Sequence, residues 1–362
     1  MKSLKKLFSD FLTKDILLIL TVGTVVRLIL MFLTLHPDVW AISFSEYLFS
    51  FKKVFNIYDY LAELPKTSAL VQNYGQNFFT YPPLAYFTFG FFGFIFKPLF
   101  NQAFFNNLAI NLPEILNDGR LYWHLFLTKL PNLFFDFGIL LVLNKLFSEK
   151  KEKKLAAILW ILNPLAFYTS YMIGQFDVIP VFFTILSLYL VKVNKKKTAA
   201  CCLGIGGAYK MFPLFFLPFL AVAAGKNTFG KLKLFLIGLA PYFLTIFPFV
   251  GSSAFRQNVL FSNQSQKMFF AKINVSGAEY LSLFIVFYTF LLILASLRKI
   301  ELWKSFLMVM LLFFSVTHYH PQWFLWIAPL LVLFWVNYPE YKFLPIFLIS
   351  CWFLTTIFFE PS

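Results

Sequence analysis

The sequence predicts an all-α polytopic membrane protein, and three observations carry that fold class. Of 362 residues, 60% are hydrophobic and 13% are charged, where a soluble domain has roughly 25% charged. The apolar residues fall in stretches of about 20, the length a helix needs to cross a bilayer. The basic residues fall in short runs between those stretches. Mean hydropathy is +0.74. With 53 Phe against 15 Gly, disordered and linker-like classes are excluded, since those need Gly, Pro or charge in place of apolar bulk.

The elements follow in order from charge and length. Residues 15–35 form the first span: they exceed a signal core in length and no small-residue cleavage site follows. Lys2, Lys5, Lys6 and Lys14 place its N terminus in the cytoplasm, because basic loops beside spans mark that side. The outer loop then opens with Trp40, Phe44, Tyr47 and Phe51 at helical spacing, which predicts an amphipathic helix lying in the membrane interface. Two apolar stretches, 82–100 and 122–147, precede the basic run Lys150, Lys151, Lys153 and Lys154. If both crossed, that run would face outward. Residues 82–118, with an Asn-rich middle, are therefore read as a re-entrant or surface hairpin, which is tolerated where protein covers it.

The remaining spans alternate: 122–147, 155–173, 178–193, a broken pair at 198–209 and 211–224, then 232–250, 279–297, 303–317, 323–336 and 343–359. That makes about eleven spans in one integral membrane domain, 1–362. Its parts are the first span, an outer loop with the re-entrant segment over 36–121, and a helical bundle over 122–359. The net charge of +15 records orientation in a prokaryotic-type plasma membrane. No basic stripe interleaved with polar readers is present, so nucleic acid is not an expected partner. Cys201, Cys202 and Cys351 lack metal or disulfide spacing and read as core residues.

In this topology the polar residues collect on the outer side, where an ionisable group at membrane depth is a functional candidate. Asp38, in His36-Pro37-Asp38, is either a helix N-cap or a general base at the membrane surface. Glu46 and Asp59 lie further along the same loop, and with Asp38 they offer carboxylates to a divalent metal, although their spacing does not indicate one. Tyr81-Pro82-Pro83 is a stiff turn whose tyrosine can line a pocket. Gln175 and Asp177, in Gly174-Gln175-Phe176-Asp177, form a polar turn suited to hydroxyl-rich ligands. Asn163-Pro164 before it kinks the helix. Arg27, Lys129, Asp136 and Lys210 are charges within apolar stretches, read either as ion pairs that fix helix packing or as a phosphate site. Arg256, Lys267 and Lys272 lie in a late outer loop, and His318 and His320 flank another outer turn.

The order of these motifs resembles the prokaryotic membrane mannosyltransferases related to the second GPI mannosyltransferase, and more widely the GT-C glycosyltransferases that use polyprenyl-phosphate sugars. His36-Pro37-Asp38, Asn56-Ile57-Tyr58-Asp59, Tyr81-Pro82-Pro83-Leu84, Lys129-Leu130-Pro131 with Asp136, Gly174-Gln175-Phe176-Asp177 and Lys210-Met211-Phe212-Pro213 carry the resemblance, over about residues 15–220. It implies Asp38 as catalytic base, and Tyr81, Gln175, Asp177 and Lys210 as donor- or acceptor-binding residues; Arg256, His318 and His320 are further candidates by their chemistry, with His36 beside the base. The family's late His-Glu-Arg-Tyr-type element has here the counterpart His318-Tyr319-His320-Pro321-Gln322-Trp323, which lacks Glu and Arg.

The implied activity is an inverting transfer of one sugar, mannose favoured, from a polyprenyl-phosphate donor to a hydroxyl of a lipid, glycan or protein acceptor on the outer face. One base and cations for the departing phosphate suffice for such a step. The absence of a Gly-rich phosphate loop agrees with a lipid donor, and Gly204-Ile205-Gly206-Gly207 reads as close helix packing. A lipid-linked saccharide flippase would show repeated halves with matched broken helices, which the sequence lacks. An O-antigen-ligase-like enzyme would carry its large outer loop late, whereas the longest here follows the first span.

Overall fold

A computed structural model describes residues 14–277 and 279–359; Lys2, Lys5 and Lys6 lie outside them. Among the described residues five helices are long and apolar enough to cross a bilayer: Lys14–Leu33, Arg120–Leu146, Lys150–Ile173, Thr228–Phe249 and Pro339–Phe359. Six apolar helices are shorter, including Pro83–Ile95, Val178–Lys192 and Leu302–Val316. The chain is a helical integral membrane protein. A two-stranded antiparallel hairpin, Lys272–Ser276 with Glu279–Ser282, departs from the all-α expectation. The helix expected from residue 279 accordingly begins at Leu283.

Local chemistry sets the breaks. The side-chain oxygen of Asn163 accepts from the amides of Leu165 at 2.9 Å and Ala166 at 3.4 Å, and so restarts the chain at Pro164. Wide π-type turns then run over Phe167–Ile173 and end at Gly174, whose φ of +82° only glycine adopts without strain. The broken pair near 210 is also present: a helix over Lys196–Gly207, a tight turn over Phe212–Phe216, and a helix over Leu217–Ala224. A Cβ on Gly204 would overlap the Gly238 carbonyl oxygen, so this glycine lets two helices touch through their backbones.

The helix expected in the membrane interface is instead a core element. All of Val39–Ser50 except Phe49 is buried, with Phe44 fully enclosed. Pro83–Ile95 covers it at close range, since a Cβ on Gly93 would fall 2.8 Å from the Glu46 Cα. Thirteen residues rise only about 20 Å at 1.5 Å each, short of a hydrocarbon core of about 30 Å. The asparagines beyond it do local work: Asn101 caps the helix Gln102–Ile110 through the Phe104 amide, and Asn106 accepts from the Tyr47 hydroxyl.

Two hydrophobic clusters result. One gathers the helix Val39–Ser50 and the short helices of 57–115; the other gathers the bundle. Tyr81 and Leu84 pack against both. The basic runs meet at the far end of the bundle, where Lys154 lies 3.8 Å from Asp15, Lys192 donates to the Leu146 carbonyl and Lys196 to that of Ala224.

Candidate functional site

Where the two clusters join, Asp38, Tyr81, Gln175, Lys210, His320 and Gln322 line one cavity of about 350 Å³. Five chain segments far apart in sequence supply them. Asp38 stands at the N terminus of Val39–Ser50, yet its carboxylate caps no amide. Oδ2 instead accepts from Gln175 Nε2 at 2.8 Å and from Gln322 Nε2 at 3.2 Å. The Asp38 amide donates to His36 Nδ1 at 3.2 Å, while that nitrogen is 3.8 Å from Oδ1, beyond hydrogen-bond reach. Asp38 keeps 32% side-chain exposure, so the carboxylate is held and still open to the cavity.

Gln175 is the hub. Only 1% exposed, it donates to Tyr81 Oη at 2.7 Å as well as to Asp38, and its Oε1 accepts from Lys210 Nζ at 3.4 Å. Its backbone is fixed in turn: its amide donates to the Thr169 carbonyl and its carbonyl accepts from Asn132 Nδ2. Burial, helped by the Asp38 charge, pushes the Tyr81 phenol above its ordinary pKa, so the ring presents a protonated hydroxyl.

Behind them, Lys210 Nζ donates to Asp177 Oδ2 at 2.7 Å and lies 4.9 Å from the Phe176 ring centre and 5.4 Å from that of Tyr81. Asp177 is fully buried, and Trp326 Nε1 donates to its other oxygen at 2.5 Å. Lys210 therefore reaches the cavity as half of a fixed pair. The roof is aromatic: Trp326 stacks on Phe212 at 4.3 Å and on Trp323 at 4.9 Å. Lys267 Nζ sits 4.7 Å from the Trp323 ring centre. Burial first, and the Lys267 charge second, push His320 down to about 4, which leaves its imidazole neutral at pH 7.

Several expected residues stand elsewhere. Arg256 donates to the carbonyls of Val250 and Gly251 and does not line the cavity. His318 packs beside Phe270 and Phe359, outside the lining. Asp59 accepts from Asn56 Nδ2 and from the Ser252 hydroxyl, tying two loops together. Glu46 is enclosed between helices with Thr128 as its donor at 2.7 Å. With Glu46 and Asp59 held apart from Asp38, the three carboxylates do not gather round a metal; among the described residues no group of three or more His, Cys, Asp or Glu does.

Of the charges within apolar stretches, Lys210 reaches the cavity, whereas Arg27, Lys129 and Asp136 are structural. Asp136 accepts from Arg27 Nε at 2.6 Å, Tyr171 Oη at 2.6 Å and Trp160 Nε1 at 2.7 Å. Lys129 pairs with no carboxylate among the described residues; it donates to Thr34 Oγ1 and to the carbonyls of Thr34 and Tyr171. None of the three lines the cavity, so they offer no phosphate site there.

Gln322, Trp323 and Trp326 were not among the expected site residues. A glutamine between a histidine and a tryptophan in a short polar turn was a visible cue for Gln322. Nothing local marks Trp326, whose role depends on Asp177, 149 positions away. Comparison with protein-family models, with curated proteins and with solved structures found no match for this chain.

Proposed function

We propose that the protein is an inverting glycosyltransferase that moves one sugar, mannose favoured, from a polyprenyl-phosphate donor to an acceptor hydroxyl. The observation that carries the reading is the Asp38 carboxylate, held by two glutamine amides and open to a cavity that also receives Lys210. In the proposed step Asp38 takes the proton of the acceptor hydroxyl. The acceptor oxygen bonds to the anomeric carbon as the bond from that carbon to the phosphate oxygen breaks, and the lipid phosphate leaves with the electron pair. Lys210, held by Asp177, faces the developing negative charge, the arrangement that most lowers such a barrier. The stacked tryptophans of the roof suit the apolar face of a sugar ring.

The finer topology belongs to the same proposal: about eleven spans in a prokaryotic-type plasma membrane, the lysine-rich end in the cytoplasm and the cavity outside. Separation of the lysine-rich end from the cavity end supports it.

The test uses membranes holding the full chain and a polyprenyl-phosphate mannose with a radiolabelled sugar. Asp38→Asn should lower label transfer by about a hundredfold or more, within the range of about 10²–10⁴ that general-base catalysis supplies, with insertion and yield unchanged. Transfer at the wild-type rate by that variant removes Asp38 as the base. Failure of wild-type membranes to bind or consume any polyprenyl-phosphate sugar removes the activity.

A further inference from the structure

The hairpin Lys272–Ser276 and Glu279–Ser282 has no place in the chemistry above, and it is exposed on both faces except at its last residue, Ser282. Its register sorts the side chains. Ile273 opposes Leu281, so those two share one face, while Lys272 opposes Ser282 and Asn274 opposes Tyr280 on the other. Lys272 Nζ lies 5.2 Å from the Tyr280 ring centre, as neighbours on one face do. The result is an amphipathic ribbon whose apolar residues, Ile273 at 51% and Leu281 at 46% exposure, belong to neither hydrophobic cluster of the described residues. Two strands alone are marginal in water, so such a ribbon needs a cover.

The chain itself indicates the cover. Ser282 leads directly into the helix Leu283–Ser296, one of the shorter apolar helices, whose Ile285, Phe287, Phe290 and Ile293 are exposed and apolar, the character of a surface that faces lipid. The exposed apolar surface thus runs from that helix into the ribbon, and Phe269 and Phe270 extend it on the other side. Lys267 and Lys272 supply positive charge for anionic headgroups beside it. The ribbon also stands at the cavity mouth: the Ser282 hydroxyl donates to the Met268 carbonyl at 3.0 Å, and Met268 lines the cavity.

We infer that this hairpin is a membrane-inserted sill, its Ile273–Leu281 face in the headgroup–acyl boundary of the bilayer, so that the cavity opens at the lipid surface. The inference stands without the glycosyltransferase reading, because it concerns where the ribbon sits and not what is transferred.

The test places an environment-sensitive fluorophore on Ile273→Cys and, separately, on Leu281→Cys, with Cys201, Cys202 and Cys351 changed to Ala. Parallel samples that keep the native cysteines, corrected for their background label, guard against loss of fold. Phe290→Cys is the lipid-facing control and Lys66→Cys the water-facing one. The protein is reconstituted in vesicles of phosphatidylethanolamine and phosphatidylglycerol. Quenching of labels 273 and 281 by a nitroxide carried at the lipid headgroup, several-fold stronger than at position 66 and joined to protection from aqueous iodide, supports insertion. Iodide quenching equal to that at position 66 overturns it. Protection from both quenchers also overturns it, since a second copy or another protein would then be the cover.

Discussion

Replacing Gln175 with leucine keeps the volume and removes both amide donors, one from Asp38 Oδ2 at 2.8 Å and one from Tyr81 at 2.7 Å. Asp38 would then retain only the longer bond from Gln322, 3.2 Å. A hydrogen bond to a charged group contributes about 1.5–3 kcal/mol, and each 1.4 kcal/mol off a barrier is roughly tenfold in rate. If the bond serves to aim the base, Gln175→Leu lowers kcat by about 10- to 150-fold. KM should stay within roughly twofold, because an aiming role acts in the transition state and not in substrate binding. Gln322→Leu removes the weaker bond and should lower kcat by about three- to tenfold. The assay is initial-rate sugar transfer over a range of lipid-donor concentrations, with monodispersity of each purified variant as the check on folding. A monodisperse Gln175→Leu enzyme with wild-type kcat, or one whose loss lies wholly in KM, would refute the reasoning.

Three other outcomes are expected. Asp136→Asn leaves the Arg27 guanidinium buried without its counter-charge and should cost about 3–5 kcal/mol; the double change Arg27→Met with Asp136→Leu should cost less, and equal losses in a micellar unfolding titration would speak against the pair. Burial holds the His320 pKa at about 4 in the folded chain, against 6.5 for the free side chain, so the unfolded state takes up the proton first. That part of the stability is complete above pH 6.5 and is lost as pH falls towards 4; thermal midpoints of wild type and His320→Gln should therefore converge or cross on acidification, and parallel profiles would contradict this. Gly204→Ala, which drives a methyl into the Gly238 carbonyl, should destabilise by about 1–3 kcal/mol or more, while Gly251→Ala, facing open space, should change nothing measurable in the same titration.

The outcome at particular residues shows what a sequence can carry. Lys210 was legible as a charge within an apolar stretch, and Asp38, Tyr81, Gln175 and His320 as members of short motifs in outer loops and turns. Arg256 and His318 met the same criterion and lie outside the cavity. In an outer loop a polar group costs nothing, so polarity there says little about placement. Lys129 and Asp136 were read either as packing ion pairs or as part of a phosphate site; Asp136 pairs with Arg27 of the first span, and Lys129 is held by the Thr34 and Tyr171 carbonyls.

Local pattern also misread the setting of Val39–Ser50. Its aromatic spacing correctly marked a helix, but spacing cannot distinguish a lipid boundary from a protein core, because both are apolar. The close approach of Gly90 and Gly93 on the helix Pro83–Ile95, together with the bond from Thr128 of Arg120–Leu146 to Glu46, decided in favour of the core.

By itself the sequence determined the helical class, the long apolar helices and the separation of lysine-rich ends from polar turns. Those follow from transfer energies and chain geometry, which act residue by residue. The tertiary structure alone decided which turns meet. Gln175 and Gln322 reach one carboxylate oxygen of Asp38 across 137 and 284 positions, and Asp177 fixes Lys210 from behind. Such bonds depend on how helices cross, a property of packing between distant segments that no local stretch encodes.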